Sequence, residues 1–361
     1  MRIVITGASG NVGTALLRRL TRDVGQEHDL VGVCRRPPTG GRPYDAVSWT
    51  ALDLAGPDVG EALRPVVRGA DAVVHLAWGF QPSRDITYLD RLGIDGTRAV
   101  IDAVHAEGVP HLVHMSSVGA YSPGPDSPDG LGVDELWPTE GIESLAYSKE
   151  KVAAERLLDE YERLHPDGAV VARMRPGLIV QRDAGSALLR YGVPSYVPGG
   201  LLRHVPVLPV DRNLVVPIVH TTDVADAIAR VLERRSAGAF NLAADPPVTR
   251  DLIADVLGAR AVHVPRPVLR VLTDVTWRTQ LQPLDPGWID LAFAVPLLDT
   301  TRARRELDWA PRVDARTALA GVVAGMADAA ATTSPALRPR SVVGELAALV
   351  RRGPVVKRLL P

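Results

Sequence analysis

The first half of the chain alternates short apolar runs with longer segments in which apolar residues recur at helical spacing. The apolar runs have the length of strands: Arg2–Thr6, Leu30–Cys34, Ala72–Ala77, His111–Ser116 and Ala169–Met174. The segments with helical spacing are Val12–Arg22, Ile94–Glu107 and Ala146–Leu164. Continuous Val, Ile and Leu strands separated by helices are typical of a parallel sheet covered on both faces. The pattern therefore predicts an α/β protein with a doubly wound parallel sheet of the Rossmann type.

The pattern loosens after about Val180, where Pro and Gly cluster around Pro194–Pro209 and the elements become short and mixed. We predict a Rossmann domain over residues 1–180, to which the chain returns near 215–245. Residues 181–330 are then mostly a smaller C-terminal substrate-binding lobe, and 331–361 a C-terminal tail that opens with a linker at Thr332–Pro335. The Pro-, Gly- and acid-rich loop Ser122–Gly141 is long enough to act as a lid.

Composition narrows the classes of protein. The formal net charge of -1 favours neither nucleic acid nor an anionic membrane surface as a partner. The only cysteine is Cys34, which excludes a disulfide framework and a cysteine-based metal site. No apolar run has the length of a signal peptide core or a membrane span. We expect a cytoplasmic protein that binds a small molecule and no metal, and we leave a homodimer open.

A glycine-rich turn follows the first strand directly. Residues 6–13 read Thr-Gly-Ala-Ser-Gly-Asn-Val-Gly, so that Gly7, Gly10 and Gly13 are spaced three apart. The first glycine allows the tight turn, the second lets the backbone approach a pyrophosphate, and the third lets the helix pack closely on the strand. Free backbone N–H groups and the positive helix end then meet the phosphates. The turn predicts dinucleotide binding by the first domain.

The end of the second strand bears on the choice between NAD and NADP. A site that prefers NAD usually places a carboxylate here to accept from the ribose 2′-OH, but Cys34 occupies that place and Arg35 and Arg36 follow. Arginine at this point suits a 2′-phosphate. We therefore predict NADP as the cofactor, with NAD as the alternative.

Tyr147 and Lys151 are four residues apart in a helical segment and so lie on one face. A nearby ammonium lowers the pKa of a phenol, so the pair can move a proton at a carbinol or carbonyl oxygen. Lysine is rare in this chain, which holds 41 basic residues but only three lysines. Ser116 and Ser117 end a strand at the carboxyl edge, where ligands of such sheets bind, and can supply a hydroxyl for the same oxygen.

The sequence resembles the extended short-chain dehydrogenase/reductases, also called NAD-dependent epimerase/dehydratases, over roughly residues 1–325. The matching motifs are residues 6–13, Asp53-Leu54, His75-Leu76-Ala77, residues 116–121, Tyr147–Lys151, Arg175-Pro176-Gly177, residues 219–225 and residues 307–311. The resemblance implies that Ser117 is the catalytic serine, that Tyr147 is the acid/base and that Lys151 holds the nicotinamide ribose. The cofactor residues it implies, with the turn and the two arginines, are Gly7, Ser9, Gly10, Asn11, Val12, Gly13, Arg35, Arg36, Asp53, Leu54, Leu76, Ala77, Tyr147, Lys151, Pro176 and Leu178.

Two departures from the family pattern stand out. Gly93 stands where the family often has Asn, and Val180-Gln181-Arg182 replaces the usual Tyr-Gly-Pro. Trp78 and Tyr121 are candidate substrate contacts, although plain packing explains Trp78 equally well. Arg182, Arg190 and Arg203 could hold an anionic substrate or could simply be solvated.

Three functions remain open at this level. The first is an NADP-dependent reductase or dehydrogenase for a carbonyl or alcohol group of a small or medium organic substrate. The second is a nucleotide-sugar epimerase with tightly bound NAD; a dehydratase is disfavoured, because Val118-Gly119 stands where an acid pair would be needed. The third is a dinucleotide-sensing regulator without catalysis, against which Ser117, Tyr147 and Lys151 argue.

Overall fold

The computed structural model describes residues 1–22, 28–79, 85–125, 132–193, 197–279, 281–282 and 284–339. The strands of its main sheet are β1 (Arg2–Thr6), β2 (Asp29–Cys34), β3 (Ser48–Ala51), β4 (Ala72–His75), β5 (His111–Met115), β6 (Val170–Pro176) and β11 (Gly238–Leu242). They form one seven-stranded sheet in the order β11-β6-β5-β4-β1-β2-β3. Every pairing in this sheet is parallel, so the predicted doubly wound α/β fold is confirmed.

Helices cover both faces of the sheet and the second lobe. They are α1 (Asn11–Leu20), α2 (Val59–Val67), α3 (Ile86–Asp90), α4 (Gly96–Ala106), α5 (Ala146–Leu164), α6 (Gly185–Gly192), α7 (Thr221–Arg234), α8 (Arg250–Leu257), α9 (Arg266–Arg278), α10 (Gly287–Ala294), α11 (Thr301–Leu307) and α12 (Ala315–Ala327). The predicted bounds of α5 agree with the structure. The helix predicted to begin at Ile94 instead begins at Gly96, because Arg91–Asp95 forms a π-helical turn.

The strands are continuously apolar because both faces of the sheet are buried. Ile3 and Ile5 belong to the core on one face, whereas Val4 between them belongs to the core on the other. Successive side chains of a strand point to opposite faces, so a strand covered twice has no polar alternation. Helices α1 and α7 pack together on one side and α2 and α4 on the other.

The remaining strands form small two-stranded sheets beside the main one. They are β7 (Leu178–Val180) with β10 (Ile218–His220), β9 (Val215–Val216) with β12 (Val248–Thr249), and β8 (Val207–Pro209) with β13 (Arg260–Val262). These short pairs, with α8 to α10 and α12, account for the loosened pattern after residue 180. The division into domains at residues 180 and 330 stays a prediction.

Two loop predictions have different outcomes. Thr332–Pro335 is not a free linker, since the Ser334 side chain is fully buried against the glycine turn. The centre of the predicted lid, residues 126–131, lies outside the described residues, and its flanks are anchored to neighbouring segments: the Ser122 N–H donates to the Pro138 carbonyl, and Val133 bridges to Leu298. In the part of the chain that the structure describes, no helix is long and apolar enough to cross a bilayer.

Candidate functional site

The glycine turn between β1 and α1 is as close-packed as its sequence predicts. Gly7 has a φ of +71°, and a Cβ there would lie 2.7 Å from the Ala77 backbone nitrogen. A Cβ on Gly13 would lie 2.5 Å from the Ala8 carbonyl oxygen. Both distances are shorter than any real Cβ contact, so neither position accepts a side chain. The turn therefore brings α1 and the end of β4 against the same stretch of backbone.

The start of α1 fits a pyrophosphate. Its N-cap is Gly10, which has no side chain to occupy the first free N–H groups, and its first turn contains no acidic residue. An anion placed there meets free donors and the positive helix end. The Asn11 side chain is held in place by Gln181, whose Nε2 donates to Asn11 Oδ1 over 2.6 Å. Gln181, one of the departures from the family pattern, is buried and supports the turn.

A cavity runs from the glycine turn across the carboxyl ends of β1, β2 and β4. It is lined by Gly7, Ser9, Gly10, Val33, Cys34, Arg35, Arg36, Leu52, Asp53, Leu54, Leu76, Ala77, Trp78, Gly79, Tyr88, Leu92, Pro335 and Ala336. This lining includes most of the residues predicted to bind the cofactor. Val12 and Gly13 lie behind the turn in α1, and Ser117, Tyr147, Lys151, Pro176 and Leu178 lie outside this lining.

The end of the cavity beside β2 is basic. Arg35 donates to the Tyr88 hydroxyl over 2.9 Å, and that hydroxyl donates to Asp53 over 3.3 Å. The Arg36 side chain is exposed next to them. Tyr88, on α3, orders this corner and was not predicted from the sequence. The signal was weak, because Tyr88 lies in a short helix after a Pro- and Gly-containing stretch.

Ser117 and Tyr147 meet at the carboxyl end of β5. Ser117 Oγ accepts the Gly119 N–H over 3.0 Å and is hydrogen-bonded to Tyr147. A Cβ on Gly119 would lie 3.0 Å from the Tyr147 ring, so glycine there lets the ring approach the serine. Trp288, on α10, stacks on the same ring with centroids 5.6 Å apart. Trp288 comes from the second lobe, far away in sequence, and was missed.

Lys151 lies deeper than its predicted role requires. Its ammonium donates to the Met115 carbonyl over 2.7 Å and lies 3.3 Å from the centre of the Trp78 ring. The centre of the Tyr147 ring is 6.0 Å from it. Burial lowers the pKa of Lys151 well below its usual value. The predicted pair is thus in place, with the indole of Trp78 covering the ammonium.

The expected lowering of the tyrosine pKa is absent. Burial raises the pKa of Tyr147 to about 12, against the opposing effect of the Ser117 hydrogen bond and with a further rise from the charge of Glu150. The reason is geometric: the ammonium is held by Met115 and Trp78, and desolvation of the phenol dominates. In this arrangement Tyr147 is protonated near neutral pH and can donate a proton.

Gly93 makes room for Trp78. A Cβ at position 93 would lie 3.1 Å from the Trp78 indole and 3.4 Å from the Glu150 carboxylate. The family's Asn would therefore collide with the ring that covers Lys151. Burial, followed by the charge of Asp90, raises the pKa of Glu150 to about 7. The Gly93 departure and Trp78 are two parts of one local change in packing.

Tyr121 is a buried structural residue and does not line the cavity described above. Its side chain is fully buried, and its hydroxyl donates to Asn241 over 2.7 Å and accepts from Arg175 over 3.1 Å. Arg175 also binds Glu155 on α5, and Glu155 accepts from Ser116 over 2.5 Å. The predicted substrate contact of Tyr121 has no support in this network, which instead ties α5 to β5 and β6.

The other predictions fall at the edge of the site. The N–H groups of Gly177 and Leu178 donate to the Leu242 and Pro217 carbonyls, so the backbone after Pro176 is already bonded within the protein. The three arginines considered as anion ligands are engaged elsewhere. Arg182 and Arg203 pair with Asp328, and Arg190 donates to the carbonyls of Ala336 and Arg338.

A parallel sheet of this order with a glycine turn at α1 is a Rossmann fold, and it places a Ser, Tyr and Lys set at the carboxyl end of β5 and the start of α5. The chain belongs to the NAD dependent epimerase/dehydratase family, whose model matches residues 3–243. The resemblance found in the sequence is thereby confirmed.

Three similar proteins illustrate the family. An uncharacterized protein of Mycobacterium tuberculosis (strain ATCC 25618 / H37Rv) is 27% identical over 324 residues, which are 88% of this chain and 29% of that protein. The chain thus spans less than a third of this relative. NAD-dependent glucose-6-phosphate dehydrogenase of Haloferax volcanii is 31% identical over 186 residues, 50% of this chain and 69% of that enzyme. The structure of the UDP-glucose 4-epimerase of Thermus thermophilus has a TM-score of 0.66 at 21% identity, covering 90% of this chain and 99% of that one.

Proposed function

We propose that this protein is an NADP-dependent oxidoreductase that transfers hydride between NADP(H) and the carbonyl or alcohol group of a small or medium organic substrate. The nicotinamide, when bound, supplies the hydride. The dinucleotide would lie along the cavity with its phosphates at Gly7–Gly10 and its adenosine end toward Arg35 and Arg36. Cys34 stands where a carboxylate would favour NAD, which supports NADP.

Tyr147 and Ser117 act on the oxygen atom of the substrate. The Ser117 hydroxyl holds the carbonyl oxygen by a hydrogen bond, and Tyr147 donates its proton to that oxygen as the carbonyl carbon is reduced. Lys151 would hold the ribose of the dinucleotide with the N–H groups of its ammonium that the Met115 carbonyl does not accept. Trp288, stacked on Tyr147, excludes water from one side of the phenol.

The contact between Ser117 and Tyr147 at the carboxyl end of β5, with Lys151 one turn further along α5, is the observation that carries this proposal. A phenol hydrogen-bonded to a serine hydroxyl can give its proton to the substrate oxygen in reduction and take it back in oxidation. The Haloferax relative is named as a dehydrogenase, which is the same class of hydride chemistry.

The test is a screen for NADPH oxidation with aldehydes and ketones of increasing size, after the purified protein has been examined for bound dinucleotide. Tyr147→Phe removes the acid, and we expect kcat to fall by a factor of about 100 or more. Tyr161→Phe, in the same helix, is the matched control, because its hydroxyl accepts only the Ala169 N–H outside the site.

Each alternative has its own signature in this experiment. Tightly bound NAD that copurifies, with no NADPH consumption and interconversion of a nucleotide sugar, would replace the proposal by an epimerase. A Tyr147→Phe protein that retains full biological activity would point to a regulator without catalysis. Equal affinity for NADP and NAD would remove the NADP part of the proposal.

A further inference from the structure

The segment Thr332–Arg338, here called the C-terminal strap, lies directly against the glycine turn. Ser334 is fully buried, and its hydroxyl donates to the Ser9 carbonyl over 2.5 Å. The Thr332 hydroxyl is 3.2 Å from the Tyr44 hydroxyl, which in turn contacts Thr14 in α1. The buried Ser334 hydroxyl is bonded to the glycine turn, so it fixes the strap at the end of the site where the phosphates would bind.

The strap is also held from its other side. Arg190, on α6, donates to the Arg338 carbonyl over 2.6 Å and to the Ala336 carbonyl over 2.8 Å. Leu337 is 2% exposed and packs with Ala184 and Ala187. Hydrogen bonds hold the strap at both ends, and Leu337 packs against Ala184 and Ala187. The position of the strap therefore depends on the second lobe.

The strap faces the dinucleotide cavity. Pro335 and Ala336 line the cavity together with Arg35 and Arg36. Arg338 follows two residues later, and its charge acts on Arg36: burial first, then the charges of Arg35 and Arg338, lower the pKa of the Arg36 guanidinium. The strap therefore carries a third arginine, two residues beyond the cavity-lining Ala336, near the cavity end that Arg35 and Arg36 line. Like charges gathered at one place repel each other, and an anion bound among them removes that repulsion.

We propose that the C-terminal strap is a wall of the cofactor site and that Arg338 is a third cation for the 2′-phosphate of NADP, beside Arg35 and Arg36. This inference rests on the proposed use of NADP. It assigns a specificity-determining role to a residue more than 300 positions away from β2 in the chain, outside the matched family region of residues 3–243. The NADP preference of the protein is then set jointly by the first domain and by the strap.

The experiment measures dissociation constants for NADP and NAD by titration of the full-length protein. Arg338→Gln removes the charge and leaves the backbone carbonyl that Arg190 binds. We expect it to weaken NADP about tenfold, as for the loss of one charge-assisted contact, and to leave NAD within about twofold. Arg305→Gln is the matched control, because Arg305 is exposed on α11, which packs at the opposite edge of the sheet. It should change neither constant.

A second variant tests the wall. Ser334→Ala breaks the bond between the strap and the Ser9 carbonyl, so we expect it to weaken NADP and NAD alike by about threefold to tenfold. Thermal unfolding of each variant shows whether the fold is intact. Unchanged constants for both cofactors in folded Ser334→Ala would overturn the assignment of the strap as a wall.

The remaining outcomes separate this inference from the proposed function. If the unmodified protein prefers NADP and Arg338→Gln keeps that preference, the role of Arg338 is wrong and the proposed function stands. If the unmodified protein binds NAD as tightly as NADP, the NADP part of the proposed function fails, and the third-cation role fails with it. Loss of NADP affinity on raising the salt concentration, steeper for the unmodified protein than for Arg338→Gln, supports the inference.

Discussion

His75 makes the stability of the protein depend on pH, because its ring is buried in the folded state. The ring lies at the end of β4, is 1% exposed, and bonds to Thr6 over 2.7 Å and to Thr97 over 3.0 Å. Burial, with a further contribution from the charge of Lys151, lowers the pKa of His75 to about 3. The perturbation that isolates this effect is His75→Gln, which removes the titrating group and retains a polar side chain.

The sign and size follow from the two pKa values of His75. In the unfolded chain the pKa is about 6.5, so the unfolded state binds a proton that the folded state refuses. Stability is therefore fully present above about pH 6.5 and is lost as the pH falls, down to the folded value near 3. At about pH 5 the loss amounts to about 2 kcal/mol from this one residue.

The assay is urea unfolding followed at about pH 7.5 and about pH 5. We expect the difference in free energy of unfolding between the two pH values to be about 2 kcal/mol smaller in His75→Gln than in the unmodified protein. Thr97→Val is the control: it removes one hydrogen bond of the ring and should lower stability by about 1 kcal/mol at both pH values. If His75→Gln kept the full pH difference, the neutral buried histidine would be refuted.

Two further predictions concern packing around the site. Gly93→Asn should crowd Trp78, destabilise the protein by about 1–3 kcal/mol and shift the tryptophan emission. The double variant with Trp78→Ala should lose less stability than the sum of the losses in the two single variants, and strict additivity would contradict the contact. Glu155→Gln should lower the free energy of unfolding by about 3–5 kcal/mol, because it leaves the buried charge of Arg175 without its carboxylate partner. Asp159 is exposed and pairs with Arg173, which also binds Glu155. Asp159→Asn should cost less than about 1 kcal/mol, and a cost equal to that of Glu155→Gln would count against the buried network.

The sheet could be predicted from the sequence because strands that are buried on both faces are apolar at successive positions. Residues such as Ile3, Val4 and Ile5 are all apolar, and glycines or polar residues end each run. The bounds of β1 and α5 were predicted correctly for this reason. The start of α4 was not, because a π-helical turn over Arg91–Asp95 precedes it and departs from the spacing of an α-helix.

The residues of the candidate site likewise divide into those that local sequence patterns place and those that depend on long-range packing. Gly7, Ser117 and Tyr147 lie at strand ends or in a local motif, so their placement follows once the order of elements is known. Trp288 and the C-terminal strap reach the site from distant parts of the chain. Their contacts depend on how the second lobe packs, and short-range spacing contains no information about that.

The structure also changes the electrostatics expected for the predicted pair of Tyr147 and Lys151. Spacing alone places Lys151 one turn from Tyr147 and implies that the ammonium lowers the pKa of the phenol. The structure holds the ammonium against the Met115 carbonyl and under Trp78, with the phenol desolvated. The ammonium has three N–H donors, so it can keep the Met115 carbonyl and still bind a ribose hydroxyl, and Trp78, which covers it, also lines the cavity. Gly93 belongs to this arrangement, since a Cβ there would lie 3.1 Å from the Trp78 indole and would require the ring over Lys151 to shift.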